Sequence, residues 1–200
     1  MMADLITNVK RALEKARLDT SDYDLNPDIV LPEGRTLRPA GVLVAIAEAK
    51  TGPQVYLTKR SSALKHHPGQ IAFPGGKQDK GDADVTAAAL REAWEEIGLE
   101  PDNVDVMGTL PSHETVTSFT VTPVVARVHA AFNPIPEPGE VEEVFTVPLS
   151  HLLRPENFTV ESRRWRGRSR LYYTVPFGPY YIWGATARIL RSLADAARAT

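Results

Sequence analysis

The longest apolar run in the chain is eight residues, AGVLVAIA at 40–47. That is strand length, far short of the ~18 residues needed to cross a bilayer as a helix. A chain with apolar pieces this short must assemble its core from strands and one-sided helices. Residues 4–18 supply one such helix, with Leu5, Val9, Leu13 and Ala16 on a single face. Asp4, Lys10, Arg11 and Glu14 interrupt it, so it lacks the apolar centre of a signal peptide. The 200 residues suit one ordinary domain, and 42% hydrophobic with 24% charged residues is the composition of a folded one. The 23 Lys plus Arg nearly balance 25 Asp plus Glu, which speaks against a protein built to coat nucleic acid. Cysteine is absent, excluding disulfides, thiolate metal sites and a cysteine nucleophile. The expectation is a cytoplasmic protein with neither membrane nor nucleic acid as partner.

Residues 19–39 are polar, contain Pro27, Pro32 and Pro39, and read as an extended connector. Residues 40–48 and 55–58 read as strands of a hairpin, joined by a Thr51-Gly52-Pro53 turn. Loop signals dominate 59–81, broken by the short run 70–73. The best helix spans 84–97, with Asp84 and Thr86 as capping residues and Gly98 at the C-terminal cap. Strands follow at 104–110, 119–128 and 143–148, then a hairpin within 158–177 and a terminal helix over 185–197. Strands around a central helix, with a helix at each end, make a mixed α/β (α+β) domain.

The central helix carries most of the chemistry. On a wheel of about 100° per residue, Leu90, Ala93, Trp94 and Ile97 fall in one stripe, read as the core face. Glu92, Glu95 and Glu96 fall nearly opposite. Three like charges within one turn repel one another. Arg91, four residues before Glu95, neutralises part of that charge, and a hard divalent cation with oxygen ligands would offset the rest. A solvated acidic face is the plain alternative. The upstream loop tips the balance: Phe73-Pro74-Gly75-Gly76-Lys77 precedes the helix, and paired glycines permit close approach of a ligand to the backbone.

Together these segments resemble the signature of the Nudix hydrolases, G-x5-E-x7-R-E-U-x-E-E-x-G-U, with U a bulky apolar residue. From Gly76, five residues precede Asp82 and eight more precede Arg91, followed by Glu92, Ala93, Glu95, Glu96, Gly98 and Leu99. Three positions depart from the pattern: Asp82 stands where Glu is usual, the following spacer is one residue longer, and Ala93 is small for its slot. A second resemblance is narrower. Tyr56-Leu57-Thr58-Lys59-Arg60-Ser61, Lys65, Gly69 and Phe73-Pro74-Gly75-Gly76 match the spacing of L-L-T-x-R-(S/A)-x3-R-x3-G-x3-F-P-G-G, a pattern of coenzyme A pyrophosphatases. Tyr56 replaces a Leu and Lys65 an Arg. Weaker similarity continues through 119–123, 140–145 and 182–186. The block before Phe119 reads Thr117-Ser118, without the usual glycine.

The resemblance implies an α-β-α sandwich around a mixed sheet. It implies residues 1–39 as an N-terminal helix and connector, and 40–200 as one Nudix hydrolase domain including the C-terminal helix. It also implies hydrolysis of coenzyme A, and of acyl or oxidised forms, to adenosine 3′,5′-bisphosphate and 4′-phosphopantetheine, with Mg²⁺ or Mn²⁺ as cofactor. Glu92, Glu95 and Glu96 would be metal ligands and catalytic groups; which carboxylate is the base stays open. A further carboxylate from outside the helix is expected, with Glu140 first, then Glu142 and Glu143, and Glu114 as another candidate. Arg60, Lys65, Gly75, Gly76 and Lys77 would meet the substrate, with Arg91 and Asp82 as structural support.

Other features carry weaker readings. His66 and His67 are adjacent, a poor arrangement for chelating one ion, and read as loop surface or as a substrate contact. The arginine-rich run 163–170 reads as a solvated hairpin tip, with a 3′-phosphate or an RNA as rival ligands. NADH, ADP-ribose or another nucleoside diphosphate derivative are alternative substrates, and a catalytically inactive nucleotide sensor is the alternative in kind. The terminal helices are free to pack on each other or to form a homodimer face.

Overall fold

The computed structural model describes residues 2–165 and 167–198. The helices are α1 (Met2–Lys15), α2 (Val85–Ile97), α3 (Leu149–Leu152) and α4 (Gly184–Arg198). The strands are β1 (Thr20–Ser21), β2 (Arg38–Ala47), β3 (Gln54–Arg60), β4 (Ile71–Ala72), β5 (Gly75–Lys77) and β6 (Val104–Thr109). They continue as β7 (His113–Glu114), β8 (Phe119–Val128), β9 (Val141–Pro148), β10 (Thr159–Trp165) and β11 (Arg168–Thr174).

Strand β2 is the axis of the molecule. It runs parallel to β8 over ten residue pairs and antiparallel to β3 and β5. Strand β9 pairs with the outer side of β3, and β6 with that of β8. Successive side chains of a strand point to opposite faces, and here each face has its own core. Val44 and Ile46 join Val55, Leu57 and Val125 beneath α1 and α4, whose Val9, Ala12, Leu190 and Leu193 are buried there. Leu43 and Ala45 join Val124 and Ala126 beneath Ala89, Ala93 and Ile97 of α2. Helices therefore cover both faces of a mixed sheet, the α-β-α arrangement expected. The two terminal helices pack against each other within the chain.

The connector 19–39 is extended, as its prolines require, yet it is firmly attached. Its two-residue β1 pairs in parallel with β7, where fully buried His113 meets Thr20 Oγ1 at 2.9 Å and Asp22 Oδ1 at 3.2 Å. Asn26 holds the edge of β11 with its side-chain amide, bonding both the N–H and the C=O of Leu171. The loop lacking the usual glycine keeps a glycine-like turn: Ser118 adopts φ 63°, a left-handed conformation that costs a non-glycine residue about 1 kcal/mol.

Helix α2 seats on β2 at Gly41. A Cβ there would lie 2.0 Å from the Val85 carbonyl oxygen and 3.1 Å from Ala89 Cβ. The obstacle is backbone, so it cannot rotate away. Gly41→Ala should therefore destabilise the protein by about 3 kcal/mol or more, the upper end of overpacking effects. For a chain of this length that lowers the thermal midpoint by roughly 6–12 °C, which differential scanning calorimetry would read directly.

Candidate active site

Helix α2 is delimited by its own residues. Asp84 Oδ1 accepts from the Ala87 amide at 2.8 Å, and Gly98, at φ 70°, donates to the Trp94 carbonyl. The buried face consists of Ala88, Ala89, Ala93, Glu96 and Ile97. This corrects the helical-wheel reading twice. Trp94 is half-exposed, its indole N–H donating to Glu100 at 3.2 Å. Glu96, placed on the outer face by the wheel, is 4% exposed.

The buried carboxylate has a partner on β5. Glu96 Oε2 accepts from the Gly75 amide at 3.0 Å. Both glycines of that strand are needed for the approach. Gly75 sits at φ 150°, and a Cβ on it would lie 2.5 Å from the Gly41 oxygen and from Val42 Cα. A Cβ on Gly76 would lie 2.4 Å from the carboxyl carbon of Glu92. The backbone of 75–76 thus lies directly against the carboxylates of the helix.

Arg91 ties the intervening loop to the helix. Its guanidinium takes Asp82 in bidentate fashion, Nε to Oδ1 at 2.9 Å and a terminal nitrogen to Oδ2 at 3.0 Å. It also reaches Glu95 at 2.9 Å, Glu92 at 3.0 Å and the Lys77 carbonyl at 3.3 Å. Bonding to Arg91 and to the Asp79 amide holds the Asp82 carboxyl below the usual range, while Asp82 raises the proton affinity of Arg91.

Burial shapes the remaining electrostatics. Desolvation pushes the Glu96 carboxyl up to about 8; Glu92 and Glu140 add to the rise, and the Gly75 amide and Arg60 oppose it. Glu92 is also raised, chiefly by burial, with Arg91 opposing and Glu95 and Glu140 adding. Of the carboxylates weighed from outside the helix, Glu140 alone acts on both. Glu142 is engaged by Lys59 at 2.6 Å, Glu143 by the Tyr180 hydroxyl at 2.5 Å and Glu114 by Arg35 at 2.5 Å.

The structure therefore sets Glu92 and Glu96 against the Gly75-Gly76 backbone, with Glu140 and Arg60 acting on Glu96 through their charge. Glu95 is half-exposed and turned to Arg91. Lys77 pairs with Asp79 at 2.8 Å. Lys65, His66 and His67 lie on the exposed loop 61–69 and are not drawn into this group. Tyr180, stacked on Phe145 with centroids 3.6 Å apart and bonded to Glu143, was not singled out in the sequence. Its partners lie 35 and 37 positions away, and no local pattern connects them.

The family model of the NUDIX domain matches residues 37–166. The chain is 39% identical over 186 residues to the uncharacterized Nudix hydrolase NudL of Citrobacter koseri, covering 91% of this chain and 96% of that protein. It is 45% identical over 158 residues to the mitochondrial Nudix hydrolase 15 of Arabidopsis thaliana, covering 76% of this chain and 55% of that protein. The chain belongs to the Nudix hydrolase family. Among solved structures, a MutT/nudix family protein from Enterococcus faecalis aligns at TM-score 0.49 and 16% identity, over 86% of this chain and 64% of that one.

Among the described residues, no three His, Asp or Glu side chains stand close enough to form a ready-made metal cage. The donor chemistry of the Nudix helix nonetheless fits a divalent cation. Buried Glu96 has one hydrogen-bond donor, and its neighbours Glu92 and Glu140 raise its cost of ionisation. Oxygen-only donors with surplus negative charge suit Mg²⁺ or Mn²⁺.

This has a measurable consequence in metal-free protein. An unfolded Glu ionises near its ordinary 4.5, whereas folded Glu96 keeps its proton to about 8. Between those values the unfolded state binds fewer protons, so stability falls as pH rises, then levels off above the folded value. Glu96→Gln lacks that slope. In EDTA, its thermal midpoint should match wild type near pH 4.5 and exceed it increasingly up to pH 8. Mn²⁺ should restore the wild type selectively at pH 8, because it binds the ionised carboxylate.

Proposed function

We propose that this Nudix hydrolase cleaves the pyrophosphate of coenzyme A, giving adenosine 3′,5′-bisphosphate and 4′-phosphopantetheine. The observation that carries the reading is the buried Glu96 against the Gly75 amide, with Glu92, Glu140 and Arg60 acting on the same point. The coenzyme A assignment is supported by the spacing from Tyr56 through Gly76, which matches the coenzyme A pyrophosphatase pattern and includes Arg60.

In the reaction, water adds to one phosphorus and the bridging P–O bond breaks, so each product leaves with a phosphate. One water proton must be taken up. Whichever of Glu92 and Glu96 is not engaged by a cation is suited to take it, because burial raises the proton affinity of both and a general base works best near the operating pH. Glu92, Glu95 and Glu96, with Glu140, are the residues that would hold a divalent cation. Such an ion, when bound, neutralises phosphate charge and lowers the pKa of water. Arg60 offers a guanidinium to the phosphate oxygens, and the Gly75-Gly76 backbone allows the substrate close to the carboxylates. Arg91 and Asp82 keep the loop 77–83 fixed on the helix.

The test is product analysis with coenzyme A, NADH and ADP-ribose, each with Mg²⁺ or Mn²⁺. Adenosine 3′,5′-bisphosphate should form from coenzyme A, and Glu96→Gln should lower kcat by about 100-fold or more. Cleavage of NADH or ADP-ribose alone would overturn the coenzyme A assignment. Nucleotide binding without any product would favour a sensor.

A further inference from the structure

Three aromatic side chains gather where β11 meets the segment before α4. Tyr172 lies edge-on to Trp183 with centroids 5.2 Å apart, and its hydroxyl meets that of Tyr181 at 3.1 Å. None of the three is buried, and Tyr181 is 43% exposed. A cluster that served packing alone would close its rings off from water; this one presents them.

The residues flanking the cluster reach elements that border the site. Tyr180, the residue before Tyr181, bonds Glu143 on β9, three positions from Glu140. Gly184, the residue after Trp183, comes up to the side chain of Gln70: a Cβ on it would lie 3.8 Å from Nε2. Thr186 Oγ1 then donates to the Ile71 carbonyl at 3.1 Å. The Gln70 carbonyl itself accepts from the Arg60 amide at 2.9 Å. The aromatic segment thus borders the loop that begins at Arg60.

The same hairpin carries cations. Alternation along β11 puts Arg168 and Arg170 on the face of Tyr172, and Arg163 pairs with Arg170 across the hairpin. Arg170 is drawn toward the connector, over the Tyr23 ring at 5.4 Å. Arg163 and Arg168 are exposed; Arg166 of the same run lies outside the described residues. Rigid aromatic faces at low entropic cost are what a heterocyclic base stacks on, and arginines suit an accompanying phosphate.

We propose that Tyr172, Tyr181 and Trp183 form a stacking subsite for the heteroaromatic base of the substrate, with Arg163 and Arg168 on the side of its additional phosphate. The proposal rests on the nucleotide-pyrophosphate reading above. It gives a task to the Ile182-Trp183-Gly184 block and to the arginine-rich hairpin, neither of which the hydrolytic chemistry uses.

The full-length protein, titrated calorimetrically without metal, tests it. Adenosine 3′,5′-bisphosphate is the main probe, with inorganic pyrophosphate and adenosine 5′-monophosphate as controls. Tyr181→Ala should weaken the bisphosphate by roughly 5- to 150-fold, the range for loss of one stacking partner, and leave pyrophosphate unchanged. Tyr181→Phe, which keeps the ring, should bind like wild type. Arg163→Glu with Arg168→Glu should weaken the bisphosphate more than the monophosphate. The bisphosphate should also quench wild-type tryptophan emission, and Trp183→Phe should abolish that quenching, a readout independent of the tyrosine variants.

Absence of wild-type binding, or equal affinity in folded Tyr181→Ala, overturns the subsite. Steady-state kinetics separate it from the reaction assignment. A raised KM with unchanged kcat for coenzyme A in Tyr181→Ala supports both. Hydrolysis with unchanged KM sinks the subsite alone. Tyr181-dependent binding without coenzyme A hydrolysis sinks the reaction assignment alone.

Discussion

The hydrogen bond from the Gly75 amide to Glu96 joins helix α2 to strand β5 at the point where the chemistry is placed. Its geometry depends on several absences. Gly41 has no Cβ to hold the helix away from β2, and Gly75 has none to collide with Gly41 and Val42. One backbone donor does not compensate for burying a carboxylate, since an isolated charge in a dry environment costs far more than one hydrogen bond returns. Glu96 therefore takes up either a proton or a positive partner. The fold holds this group where its ionisation state is decided by what binds beside it.

Arg91 performs a different kind of positioning. Its bidentate contact with Asp82 anchors the 77–83 loop, and two further contacts reach Glu92 and Glu95. Asp is one methylene shorter than Glu, and the spacer here is one residue longer than the family pattern; the bidentate bond shows that the two together still bring this carboxylate to the guanidinium. Glu95 is neutralised by Arg91 at the exposed end of this network, while buried Glu96 is opposed first by the Gly75 amide and then by Arg60. Two adjacent residues of one acidic motif thus meet opposite environments.

Much of this was legible in the residues. The strand-length run at 40–47, the capped helix at 84–97 and the hairpin at 158–177 follow from periodicity, capping and turn chemistry, and the structure contains each. Spacing carried the Gly-Gly loop to the acidic helix. Amphipathicity failed at Trp94 and Glu96, because a wheel ranks side chains by hydrophobicity and assumes that charge faces water. A buried carboxylate bonded to a backbone amide breaks that rule. Strands β1, β5 and β7 have two or three residues each and show no alternation; β5 and β7 are created by pairing with the long strands β2 and β8, and β1 by pairing with β7 in turn. Ser118 in a left-handed turn and the contact between Tyr180 and Glu143 were equally invisible, since both are set by tertiary context.

The sheet separates two demands that conflict in one place. The proposed hydrolysis of an anhydride between two phosphates needs carboxylates near an anion, and those carboxylates would repel the anion they serve. Here the acids Glu92 and Glu96 are carried by α2 against the glycine strand, while Arg60, at the end of β3, acts on Glu96. The half-exposed aromatic rings and exposed arginines are carried instead by the separate β10–β11 hairpin and the segment entering α4. Affinity drawn from stacking, remote from the reacting phosphorus, would hold an anionic substrate against local repulsion. A net charge of -2 tells nothing of this division, because it is the placement of charges, and not their sum, that an approaching ligand meets.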